Sequence, residues 1–156
     1  MVNFSDIDWT ASACPVSNHF SVREALWLPQ YARLAVPSDF PGNITWEMVT
    51  ANAYAFFNNF VDPLRDWAGC AFYVHVATRP PAYNLQIGGA KNSAHLYGQA
   101  VDFNPAVGSC ADLINRMLAE KELDALGIRC ENNGPNPGWV HVDNRSPGPS
   151  GRYFIP

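Results

Sequence analysis

No apolar run in this 156-residue chain approaches the ~18 residues that a membrane-spanning helix needs, so a transmembrane protein is excluded. Charge is scarce at 15%, while 47% of residues are apolar, a balance that disfavours disorder. There is no basic excess: 10 Lys and Arg stand against 14 Asp and Glu, a net charge of -4. That leaves no electrostatic footprint for nucleic acid. No Cys-x-x-Cys pair occurs among Cys14, Cys70, Cys110 and Cys130, which argues against a thiolate zinc cage or a thioredoxin-type motif. The first residues, MVNFSDIDWTASACP, lack the apolar stretch of a signal peptide. Repeats, low-complexity tracts and linkers are also missing, so residues 1–156 read as one domain. That length buries one proper core.

What the chain does have is turn-forming residues, 13 prolines and 11 glycines. Ser21 to Leu26 reads as a short helical turn. Thr45 is a plausible N-cap, followed by Trp46, Val49, Ala53, Phe56, Phe60, Leu64 and Trp67 in steps of three and four. This is the apolar face of an amphipathic helix, which Pro63 should kink or interrupt. Ala71–Ala77 alternates like a strand, Gln99–Asn104 is a second strand and Gly138–Asp143 a third. Between the last two, Ala111–Leu126 reads as a helix, with Ser109 and Asp112 in a capping-box arrangement and Gly127 at its end. The expected fold is α+β, with helices packed on a short, mostly antiparallel sheet. Four cysteines allow four thiols or two disulfides. A helix of about 24 Å between Cys110 and Cys130 argues against joining those two, so Cys14 and Cys70 are their expected partners.

Two of the four histidines stand in chemically useful company. His95 lies seven residues before Asp102, and Asp102 sits between Val101 and Phe103 in an apolar strand. A carboxylate buried there needs compensation. An arginine would supply it, and so would a cation shared with two histidines. On the third strand Trp139, His141 and Asp143 share one face, so pairing with the Asp102 strand would bring His141 to Asp102. Two imidazoles and one carboxylate suit a catalytic zinc, which takes three protein ligands and keeps a fourth position open.

The segment Ser93-Ala94-His95-Leu96-Tyr97-Gly98-Gln99-Ala100-Val101-Asp102 follows the pattern S-x-H-x-x-G-x-A-x-D, with Trp139-Val140-His141-Val142-Asp143 downstream. Together they resemble the zinc motif of the D-Ala-D-Ala carboxypeptidase and L-Ala-D-Glu endopeptidase family, whose metal site is arranged as in lysostaphin-type peptidases and hedgehog domains. Asp62-Pro63-Leu64-Arg65, Arg79-Pro80-Pro81-Ala82-Tyr83-Asn84 and Gly88-Gly89-Ala90 fall in the family's order. The similarity covers about residues 18 to 145. It implies a Zn2+ cofactor bound by His95, Asp102 and His141. It also implies that Arg79 faces a substrate carboxylate or carbonyl, unless it serves a structural salt bridge. Ser93 either hydrogen-bonds near the site or stabilises the turn before His95.

Two departures matter. Val76-Ala77-Thr78 precedes Arg79 where many members read Ser-Gly-Tyr, and Gly138 stands where some members place an acid. The general base must then come from elsewhere. Glu131, ten residues before His141, is the preferred candidate and Asp143 the other, with orientation of an imidazole or of Arg145 as the alternative role for Asp143. The resemblance implies a zinc peptidase acting on peptidoglycan stem peptides or cross-links, as a monomer, in the cell wall or periplasm, and of a phage-type lysin or remodelling kind. A cytoplasmic D-Ala-D-Ala dipeptidase is the enzymatic alternative. A zinc-stabilised binding or virion module without hydrolysis is the alternative from another class.

Overall fold

The computed structural model describes residues 2–155 and has an α+β fold. The helices are α1 (Val22–Leu26), α2 (Trp46–Phe56), α3 (Asp62–Ala68), α4 (Pro81–Gln86), α5 (Cys110–Ala119) and α6 (Glu122–Leu126). A two-stranded hairpin, β1 (Trp27–Leu28) with β2 (Arg33–Leu34), follows α1. The main sheet contains β3 (Phe72–Val76), β4 (Ala100–Pro105), β5 (Arg129–Glu131), β6 (Val140–Asp143) and β7 (Tyr153–Phe154). Its order is β3-β4-β6-β5-β7, antiparallel throughout except for the parallel β5–β7 pair.

Thr45 caps α2 by accepting a hydrogen bond from the Met48 N–H at 3.2 Å. The apolar stripe then turns Val49, Ala53, Phe56 and Leu64 into the core. Pro63 acts one turn before itself. It has no N–H for the carbonyl four residues earlier, and residues Phe57–Val61 widen into a π-turn before the helix resumes as α3. From the sheet, Val101 and Phe103 of β4 join Val140 and Val142 of β6 in the same apolar cluster. Each such fully buried side chain contributes about 1.5–3 kcal/mol of transfer free energy. Alternation along β4 sends Asp102 to the opposite face, away from that cluster.

Three expectations need correction. The helix expected over 111–126 divides at Lys121, whose φ of +57° is left-handed and stops α5 from running into α6. The expected disulfides are not present: Cys14, Cys70, Cys110 and Cys130 are all free. Cys130 sits mid-sheet across from Val142 and Tyr153, where burial and the nearby Glu131 and Asp143 carboxylates push its thiol up to about 12. Finally, α4, the β1–β2 hairpin, β5 and β7 go beyond the elements that periodicity marks. Their two to six residues are too short for a period to register.

Candidate metal centre

The register of the sheet builds the site. Asp102 on β4 lies directly across from His141 on β6, so both side chains leave the same face. His95 comes from a 3-10 turn, Ala94–Tyr97, whose first N–H groups need a cap. Ser93 provides it, accepting from the His95 N–H at 3.3 Å. The turn closes on Gly98 at φ +69°, where a Cβ would also strike the Val49 carbonyl oxygen at 2.6 Å. Glycine is therefore required there for conformation and for space alike.

His95 Nδ1 faces the Ala77 carbonyl at 2.5 Å and must donate to it, which leaves Nε2 as a lone pair. That Nε2 lies 3.2 Å from Asp102 Oδ1 and 3.2 Å from His141 Nδ1, and the last two atoms are 2.7 Å apart. Ligands at 2.0–2.2 Å from a tetrahedral zinc ion would lie about 3.3–3.5 Å apart, so this triangle matches one face of such a shell after small outward shifts. All three side chains are buried. The chemistry of the donor set agrees with the geometry, since imidazole nitrogens and a carboxylate suit zinc better than magnesium or calcium. The other oxygen of Asp102, Oδ2, accepts from the Arg79 guanidinium. Both kinds of compensation that a carboxylate on β4 calls for are thus in place: an arginine on one oxygen, the imidazoles on the other.

Behind His141 lies Asp143, fully buried and saturated with donors. Arg129 binds it through Nε at 2.8 Å and through NH2 at 2.7 Å. Arg145 adds its backbone N–H at 3.0 Å and a guanidinium N–H at 3.1 Å. Asp143 Oδ2 is also 3.5 Å from His141 Nε2, which favours the ring orientation that aims Nδ1 at Asp102. Burial opposes ionisation of Asp143, but hydrogen bonds from His141, Arg129 and Arg145 prevail and hold its carboxyl well below the usual range. Asp102 follows the same pattern: burial opposes its charge, and His95 and His141 outweigh burial. Burial holds His95 below the ordinary imidazole value despite Asp102 beside it. For His141 burial also disfavours the cation, but Asp102 and Asp143 win and raise it to about 9.

A metal must therefore displace a proton from His141. Below about pH 9 the proton competes, so apparent zinc affinity should rise about tenfold per pH unit through neutrality and level off near pH 9. Calorimetric titration in buffers of different ionisation enthalpy should detect about one proton released per zinc at pH 7. A pH-independent affinity between pH 6 and 8 would refute this account.

The triangle opens into a cavity of about 510 Å3, lined among others by Arg79, Ser93, Glu131, Trp139, Arg145 and Phe154. Apart from Asp102, Glu131 is the only acid on that lining among the described residues. Arg79 and Ser93 both reach it, the first paired with Asp102 and the second capping the His95 turn. Arg129 and Phe154 also line the cleft, with no motif in the sequence to mark them. The Phe154 ring meets His141 edge-on at 6.2 Å and lies under the Arg129 guanidinium at 4.2 Å. The alternation Ile128-Arg129-Cys130-Glu131 carried a usable signal, because it puts Arg129 and Glu131 on one strand face.

Asp102 and His141 on one sheet face, with His95 brought over from its turn, form a group that could hold a single metal ion at a cleft, as a metallopeptidase requires. A family model described as Peptidase M15 matches residues 44–143, which includes all three side chains. The chain belongs to this family of zinc peptidases, which takes in D-Ala-D-Ala carboxypeptidase-like enzymes. No curated protein matches the chain. No helix among the described residues is long and apolar enough to cross a membrane.

Proposed function

We propose that the protein is a zinc peptidase that hydrolyses peptide bonds in peptidoglycan stem peptides or cross-links, as a carboxypeptidase or an endopeptidase. The observation that carries this reading is the His95–Asp102–His141 triangle at the floor of a cleft that also holds Glu131 and Arg79. His95 Nε2, Asp102 Oδ1 and His141 Nδ1 would hold the ion. Zinc bound there supplies Lewis-acid polarisation of a scissile carbonyl and an acidified water. Arg79 fixes the second oxygen of Asp102 and turns its remaining donors to a substrate carbonyl or carboxylate, for which a guanidinium fork is suited. Glu131 accepts a proton from the attacking water and passes it to the leaving amine nitrogen. Trp139 and Phe154 give the cleft apolar walls that shed water around these groups. In this reading the protein acts as a monomer. Its place of work is then the cell wall or periplasm, in a phage-type lysin or a wall-remodelling enzyme.

Gly138, where some members carry an acid, favours one second reading: a zinc-stabilised binding module without hydrolysis. Purified sacculi separate the two. The zinc-loaded protein should release muropeptides and expose new amines, lose this activity to a chelator and regain it with zinc. A zinc-replete protein that binds sacculi but releases nothing would establish the module instead.

A further inference from the structure

We propose that Arg145 reads a carboxylate of the substrate inside the metal cleft; this deepens, and rests on, the peptidase reading above. Three arginines line the cleft: Arg79, Arg129 and Arg145. Arg79 has Asp102 as its own counter-charge and, in the reading above, gives its remaining donors to the substrate beside the metal. Arg129 spends both arms of its fork on Asp143 and packs over Phe154, and only 11% of its side chain is exposed. Arg145 reaches the same Asp143, so one carboxylate faces two guanidiniums and can neutralise only one. Glu131 shares the lining but ion-pairs with no arginine among the described residues, so Arg145 has no carboxylate of its own. A divalent cation at the histidines would add further positive charge. Arg145 is thus the arginine left with a shared counter-charge; its side chain is 37% exposed, and it lines the cleft.

This guanidinium is also held in place before any ligand arrives. Its NH1 donates to the Asn92 carbonyl at 2.6 Å and its NH2 to Asp143 at 3.1 Å, anchoring it from two directions. Those bonds use one N–H of each terminal nitrogen; Nε is buried, so the second N–H of each terminal nitrogen is what a ligand can meet. A fixed, half-exposed guanidinium with spare donors and unbalanced charge is suited to a carboxylate, which it can meet with paired, charge-assisted hydrogen bonds. Arg145 and Asn92 both lie beside the histidine turn and β6, so the carboxylate is read next to the metal. The substrate class is a peptide that carries a free carboxylate close to the bond cut.

The test compares the dipeptide L-Ala-D-Glu with its diamide on the zinc-loaded protein by calorimetry. The wild type should bind the acid at least tenfold more tightly than the diamide. In Arg145→Gln the ratio should fall to near one with zinc content unchanged. Arg145→Lys, which keeps the charge beside Asp143 but not the fork, should fall between. A second measurement needs no variant: saturating acid, but not diamide, should protect Arg145 of the wild type from phenylglyoxal, read by peptide mass spectrometry. Equal binding of acid and diamide by the wild type, an unaltered ratio in Arg145→Gln, or undiminished labelling of Arg145 under the acid would each overturn the proposal. None of these would touch the peptidase reading, which sacculus digestion decides by itself.

Discussion

Glu131→Gln should lower turnover by about two to four orders of magnitude, the usual contribution of a general base, while the protein still holds one zinc per chain. The expectation comes from elimination by geometry. A base must reach the cleft and have a free lone pair. Asp102 reaches it but has one oxygen in the metal triangle and the other on Arg79. Asp143 has both oxygens occupied by Arg129 and Arg145, and its proton affinity is depressed accordingly. Glu131, at the end of β5 and half-buried on the cleft wall, is paired with no cation among the described residues. Glutamine preserves its volume and removes only the basic oxygen, so kinetics and metal analysis on the same preparation separate chemistry from folding. Full activity in Glu131→Gln would remove the residue from the mechanism.

Asp143→Ala should have the largest effect on stability. Its carboxylate is completely buried, and its loss leaves Arg129 without a counter-charge in an interior site. Breaking a buried pair in this way costs about 3–5 kcal/mol, or about 6–20 °C in Tm for a chain of this size. Zinc affinity should fall by about 10–100-fold as well, since His141 loses the acceptor beside its Nε2. Adding Arg129→Met removes the stranded charge and should recover part of the stability but none of the zinc affinity. Thermal denaturation of the metal-free proteins measures the first effect and competition with a chromogenic chelator the second. A Tm within 2 °C of the wild type would mean that water reaches Arg129 and that the pair is not a structural element.

Local signals in the sequence carried much of this. Thr45, Ser109 with Asp112, and the alternation before Asp102 and around His141 each mark an element that the fold contains, because caps and strand faces depend on near neighbours alone. The three candidate ligands could be placed together only because β4 and β6 pair in one register, which the motif implied and the alternation permitted. What stayed hidden depends on chain brought back from far away. The Arg129–Asp143 pair spans fourteen residues and a proline-bearing loop. Phe154 reaches the site through two residues of parallel pairing. The left-handed turn at Lys121 has no glycine to announce it, and four cysteines in an even count say nothing about whether the fold brings any two together.

The direct opposition of Asp102 and His141 has a consequence for how the protein matures. Strand partners can misalign during folding, and a slip of a single residue turns one of these side chains to the opposite face. A misaligned chain then offers the ion two ligands instead of three and holds it weakly. Zinc bound as proposed would therefore favour the correct strand pairing, because its binding free energy would be added only to chains that have paired correctly.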